Sequence, residues 1–322
     1  MRRFLARRLA HGAVVIFIAA SLSFFLIHLA PGDPFSSIFD DATSDPNVIA
    51  ARKREFGLDQ PLPVQYVRFL QQLAVGNVGW SIKRGKPAAE VLAGALPRTL
   101  ALMGTALVFS FGIGIAIGAW QATRAGSRSD RTTNAVTLIV ASMPEMWFGV
   151  VLLVVFADRL GWFPAGGLFE LGMPDTWRSR LHHLALPALT LTLVGTASIA
   201  RYQRAAVLDV APRDFLRTAR AKGLSERRVL WRHALRNALV PTVVIAGLSL
   251  PTLVGGAVLV ERIFSWPGMG NLAADAVMSR DYAVVVGAVM VGAVMVVVGG
   301  ILTDILHAAI DPRVRTLGEA PE

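Results

Sequence analysis

No cysteine occurs among the 322 residues, and that absence excludes disulfide frameworks, thiolate metal sites and cysteine nucleophiles together. Charge is scarce as well. Only 17% of residues are Asp, Glu, Lys or Arg, against about a quarter in a soluble domain, while 54% are hydrophobic and the mean hydropathy is +0.53. That balance excludes an ordinary water-soluble globule. Signatures of chemistry are missing too. The nearest approach to a GxxxxGK[ST] phosphate loop is Gly79, Gly85 and Lys86, but five residues separate the glycines and Pro87 stands where the magnesium-binding hydroxyl belongs. No serine sits in a GxSxG elbow. His182 and His183 are adjacent rather than at ligand spacing, and read as a solvated pair in an outer loop. The chain is expected to be no enzyme and to hold no cofactor or metal of its own.

Apolar runs fill the sequence instead. A helix needs roughly 20 apolar residues to cross a bilayer. Six runs qualify: Leu9 to Ala30, Thr99 to Ala122, Thr132 to Ala157, Leu184 to Ala200, Leu239 to Val260 and Ala283 to Leu302. Glu145, in the third, is the one formal charge in any of them. The fold expected is all-α, a polytopic membrane protein with six transmembrane helices. The first run follows Arg2, Arg3, Arg7 and Arg8 but is too long for a signal peptide, so it reads as an uncleaved span. Within the second run, Gly112, Gly114 and Gly118 resemble a dinucleotide-binding fingerprint with the last glycine one place late. Their setting favours small residues that let helices approach closely, Gly114 and Gly118 forming GxxxG.

Charge in the short connections sets the orientation. Ten Lys and Arg lie between Arg201 and Arg236, and the N-terminal cluster precedes the first run, so cytoplasmic excess of cations puts both termini and this loop inside. Pro31 to Arg98 then lies outside. There, Asp45-Pro46 reads as a helix start and Gly57 as a stop, and a second helix following Pro63 ends near Gly76. The chain divides accordingly into residues 1–98, the first span with an external helical cap, and residues 99–322, a five-helix core carrying a cytoplasmic loop at 201–238.

That loop is the most informative stretch. Pro212 suits a first helical turn, Asp214 complements the dipole, and Phe215, Leu216 and Ala219 make an apolar side. Gly223 ends this helix, and Ser225 is a good cap for another leading toward the fifth run. A helix, a glycine turn and a helix can be a solvated basic loop, a DNA-reading pair, or a docking element. Flanking spans pin it to the membrane, which disfavours DNA. As a docking element, its small residues Ala219, Ala221 and Gly223 would admit it to a partner's groove while its arginines grip acids at the rim.

RTARAKGLS, from Arg217 to Ser225, resembles the EAA loop of the membrane subunits of bacterial ABC importers, specifically the dipeptide, oligopeptide and nickel permease family. Ala219 and Gly223 match the motif's second alanine and glycine, and Arg217 and Thr218 replace its Glu-Ala. IARYQRAAVLDV before the loop, GNVGWS from Gly76, GWFPAGG from Gly161, VERIFSWPGMG from Val260, RDYAVV from Arg280 and DPRVR from Asp311 agree in order. The resemblance implies a type I importer permease in the bacterial cytoplasmic membrane that pairs with a second, similar permease. It also implies two ATP-binding subunits inside, which hold the ATP and magnesium, and a substrate-binding protein outside. Docking on the ATPase then falls to Arg217, Thr218, Ala219, Lys222 and Gly223.

The substrate implied is a peptide, with nickel the alternative; a proton-coupled secondary transporter would need paired ionisable groups at mid-membrane, and Glu145 has no evident partner in the sequence. Glu145 is instead expected to face the translocation path or another subunit. Trp266, Pro267 and Gly268 are expected in an external turn, facing the binding protein or anchored at the headgroups.

Overall fold

With no water in the hydrocarbon core, long uncharged runs must satisfy their own backbone hydrogen bonds, and the chain does so almost wholly as helix. The computed structural model describes residues 2–29, 59–170, 172, 175–225, 228–250, 252–255 and 257–310. The order is α1 (Arg2–Leu29), α2 (Leu62–Ala74), a two-strand hairpin of β1 (Trp80–Ser81) and β2 (Lys86–Pro87), α3 (Ala88–Thr123), α4 (Arg128–Ser142) and α5 (Glu145–Leu152). A π-helical stretch, Leu153–Arg159, continues α5. Then come α6 (Trp177–Val210), α7 (Asp214–Ala221), a second π-helical stretch (Val229–Ala234) leading into α8 (Leu235–Leu248), α9 (Thr252–Gly255), α10 (Val258–Ile263), α11 (Met269–Met278) and α12 (Tyr282–Ile310).

Among the described residues, four helices are long and apolar enough to cross a membrane uninterrupted: Ala6–Leu29, Ala88–Thr123, Trp177–Val210 and Tyr282–Ile305. The other two expected spans are not single helices. The run from Thr132 to Ala157 bends by 97° between α4 and α5. Pro144 explains the bend, because it lacks an N–H and disfavours the α conformation in the residue before it; Met143 is extended, at φ −88° and ψ 142°. The run from Leu239 to Val260 is divided among α8, α9 and α10. Pro251 has no N–H for a helical bond, and Gly255 with Gly256 is a poor helix former.

The chain forms two compact units, Met1–Arg98 with Gly268–Val297, and Thr99–Pro267 with Val298–Glu322. In the first, Ala88, Leu92 and Ala95 pack on Met269, Leu272, Ala276 and Val284. Its α1 and α2 meet through Phe24, whose ring lies 5.3 Å from those of Tyr66 and Phe69, and through a 2.7 Å bond between the Ser21 and Tyr66 hydroxyls. Ser81 of the hairpin donates to Asp281 Oδ2 at 2.5 Å, both side chains buried. The expected stop at Gly76 is present. Its φ is +78°, and Gly76 N–H to Leu73 O with Asn77 N–H to Gln72 O closes α2. The helix expected between Asp45-Pro46 and Gly57, and the DPRVR segment, lie outside the described residues.

In the second unit, the GxxxG glycines act as the sequence suggested. A Cβ on Gly118 would lie 2.3 Å from Ala200 O, and one on Gly114 would lie 2.8 Å from Ile199, so α3 approaches α6 backbone to backbone.

Candidate functional site

The basic connection is shorter than its sequence suggests, since α6 runs on to Val210 and carries Arg201 and Arg204 with it. Ala211 to Arg213 then turn the chain. Pro212 stands before the N-cap Arg213 rather than inside the first turn of α7. At the other end the turn is as expected. Gly223 has φ +76°, Gly223 N–H donates to Arg220 O at 2.9 Å and Leu224 N–H to Ala219 O at 3.4 Å. This paired closure needs a left-handed residue, which glycine supplies without a Cβ clash.

Helix α7 has two faces. Leu216 and Ala219 are buried, 1% and 6% exposed, in a core with Val207, Val210, Val229, Ala234 and Ala238. Burying a leucine of this kind contributes about 1.5–3 kcal/mol, which holds α7 against α6 and α8. The small size of Ala219 therefore serves packing within this chain, not entry into a partner's groove. Arg217, Thr218, Ala221, Lys222 and Gly223 are exposed, and a Cβ on Gly223 would meet nothing within 4 Å. Phe215 belongs to the exposed face as well, at 40%, and not to the apolar side with Leu216. Adjacent residues on a helix point about 100° apart, and here Leu216 takes the inward direction. The result is an outward face carrying an aromatic ring and several cations.

Beneath α7, residues 199–210 of α6 gather the neighbouring helices. Thr242 of α8 donates to Gln203 Oε1 at 2.5 Å, and Gln203 Nε2 donates to Ala238 O at 3.3 Å. Arg204 donates from Nε and Nη2 to the two carboxylate oxygens of Asp130 on α4, each at 2.7 Å.

Glu145 opens α5 at the 97° bend, with its side chain exposed. Trp266 departs from expectation. Its side chain is 2% exposed, packed with Leu102 and Ala188, and so it does not face outward. Pro267 is half-buried and Gly268 buried. His182 and His183 lie in α6 rather than in a loop, and His183 is buried, its Nδ1 2.8 Å from Ser179 O. Among the described residues no group of three His, Asp or Glu is placed to hold a metal ion.

Two family models match this chain: the binding-protein-dependent transport system inner membrane component over residues 114–316, and the N-terminal segment of such membrane components over residues 1–103. The chain belongs to this family. Its relatives include the oligopeptide transport system permease protein AppB of Bacillus subtilis, 39% identical over 98% of this chain and 99% of that one. The di/tripeptide transport system permease protein DppB of Pseudomonas aeruginosa is 38% identical, and the glutathione transport system permease protein GsiC of Salmonella paratyphi A is 35% identical, each with the same coverage. An inward-facing structure of the MetNI methionine ABC transporter has the same fold over 69% of this chain and 96% of its own, with a TM-score of 0.53 at 21% identity. This permease is accordingly a multi-pass inner membrane protein that works within a larger transporter complex.

Two distant motif stretches converge in the second unit. GWFPAGG and VERIFSWPGMG meet in the permease, where Gly167 N–H donates to Phe264 O at 2.9 Å and a Cβ on Gly166 would lie 2.3 Å from that same oxygen. Glu261, beside them, is wholly buried and accepts from Thr99 at 2.7 Å. Sequence reasoning missed Asp130, Arg204, Gln203 and Glu261. Spacing could not pair residues 74 or 162 positions apart, although a single acid such as Glu261 at the end of an apolar run is a signal in itself.

Proposed function

We propose that this chain forms half of the translocation pathway of an ATP-driven importer of peptides. The observation that carries the reading is end-to-end similarity, at 35–39% identity, to permeases named for oligopeptides, di/tripeptides and glutathione. The chain crosses the membrane six times, α4 with α5 making the third crossing and α8 to α10 the fifth, with both termini and α7 in the cytoplasm. A second permease completes the pathway, two ATP-binding subunits dock inside, and a substrate-binding protein delivers peptide outside. The ATP-binding subunits hold the nucleotide and magnesium. Docking uses the exposed face of α7, with Arg217, Thr218, Lys222 and Gly223 joined by Phe215, while Ala219 holds the helix in place from behind. Binding of ATP shifts α7 and rocks α6 and its neighbours between outward-open and inward-open states. Glu145, a carboxylate too costly to leave facing lipid, lines the pathway or meets the second permease.

The test is uptake by the reconstituted complex. Labelled peptide should accumulate with ATP and stop without it, while a nickel salt should not compete. Nickel accumulation in place of peptide would overturn the substrate assignment, and uptake driven by a proton gradient alone would overturn the ATP-driven reading.

A further inference from the structure

The pair formed by Asp130 and Arg204 differs from the short-range pairs on the chain's surface. Lys86–Glu90, Arg213–Asp209 and Arg217–Asp214 each join residues three or four apart on the surface, with side chains 59–96% exposed, and Arg180–Asp175, also doubly bonded, joins residues five apart with side chains 44% and 35% exposed. Asp130–Arg204 joins two different helices, and the Asp130 side chain is 3% exposed. Its two parallel bonds fix the guanidinium and carboxylate planes together, which a single point contact would not do. The same carboxylate also holds the turn before α4, accepting from Gly126 N–H at 2.9 Å, while the Asp130 backbone N–H donates to the capping Ser127 Oγ at 3.2 Å.

Its position matters as much as its geometry. Arg204 lies in the stretch of α6 that Gly114 and Gly118 of α3 approach, that Thr242 of α8 bonds through Gln203, and that supports Leu216 and Ala219 of α7 through Val207 and Val210. Those other contacts already fasten α3, α7 and α8 to α6. The Asp130 pair ties down the N-terminal end of α4, which also packs along α6 and is the first limb of the bent span that leads to Glu145.

We infer that Asp130 and Arg204 form a positioning clamp for transport, passing displacement of α7 through α6 to the α4–α5 limb that shapes the pathway. The inference rests on the docking role proposed for α7. Neither residue touches substrate or ATP; the pair acts by keeping α4 in register with α6.

The test uses the complete transporter in proteoliposomes and reads peptide taken up per ATP hydrolysed. Asp130→Asn and Arg204→Lys each remove the doubled charge-assisted bond while keeping size and polarity close. Complex recovery and ATP hydrolysis should persist, and peptide per ATP should fall about tenfold, within the range of ordinary coupling energies. Because the chain has no cysteine, Asp130→Cys with Arg204→Cys can be bridged by a short bis-maleimide, and bridging should restore most of the lost ratio. A simple packing role would not respond in that way. An unchanged ratio in Asp130→Asn, or a reduced ratio that the bridge does not restore, overturns the clamp. A reporter at Ser225→Cys, exposed just beyond α7, separates the two levels. A cross-link from it to the ATPase with an unchanged ratio removes the clamp alone, whereas no cross-link removes the docking role and the clamp with it.

Discussion

Two short connections, α7 and the segment from Ser265 to Gly268, show opposite relations between motif and exposure. Both join helices, both carry a recognisable motif, and both contain a residue in the left-handed region, Gly223 at φ +76° and Ser265 at φ +47°. Yet α7 turns its cations outward, with the Arg217 side chain 75% exposed, while the second connection turns its tryptophan inward to 2%. The difference teaches that a motif marks where the chain must bend. Which side of the bend meets water depends on neighbours far away in sequence, here Leu102 and Ala188.

Trp266→Ala gives the largest expected effect. Removing a buried aromatic of this size costs about 3–5 kcal/mol, so membrane abundance and the thermal unfolding temperature should both drop. Full abundance with impaired response to the binding protein would break the comparison, because it would return Trp266 to an exposed docking role. Gly166→Ala tests the same connection through its backbone. The added Cβ would press on Phe264 O, and overpacking of this kind costs about 1–3 kcal/mol, again read as lower thermal stability.

On the α7 side, Gly223→Val should leave abundance normal, since a Cβ there meets nothing within 4 Å inside the chain. Holding a β-branched residue left-handed costs roughly 1–2 kcal/mol, confined to the turn, yet ATPase recovery and uptake should both fall severely. Gly223→Asn sharpens the reading. Asparagine tolerates the left-handed region, so restored uptake would make Gly223 a turn residue only, and continued loss would mean a partner packs where the side chain is missing. The smallest effect belongs to Arg217→Glu. Its pair with Asp214 is solvent-screened, and uptake should stay within about twofold of wild type; a larger loss would make Arg217 a direct anchor on the partner.

Much of the fold was legible because bilayer thickness and helix rise turn an apolar run into a span with little reference to its surroundings. Four of the six runs are continuous helices on that basis. Glycine stops at Gly76 and Gly223 were equally legible, since left-handed backbone is a property of the residue itself. The bend at Pro144 was legible as a missing donor but not as a 97° change of direction, because proline removes a constraint without saying where the freed chain will go. For the candidate site, the motif located α7 and the cationic character of its outer face. It did not show that Phe215 leaves the apolar side assigned to it, or that Ala219 packs into the chain's own core.

By itself, then, the sequence determined the family, the helical class, the apolar runs and the ends of the short helices, all of which follow from composition, local conformational preference or ordered motifs. Only the tertiary structure decided that Trp266 is core, that Glu261 is buried against Thr99, and that Asp130 closes on Arg204 across 74 residues. These depend on which helix faces are brought together. Hydropathy marks every face of such helices as apolar and so carries no information about their partners.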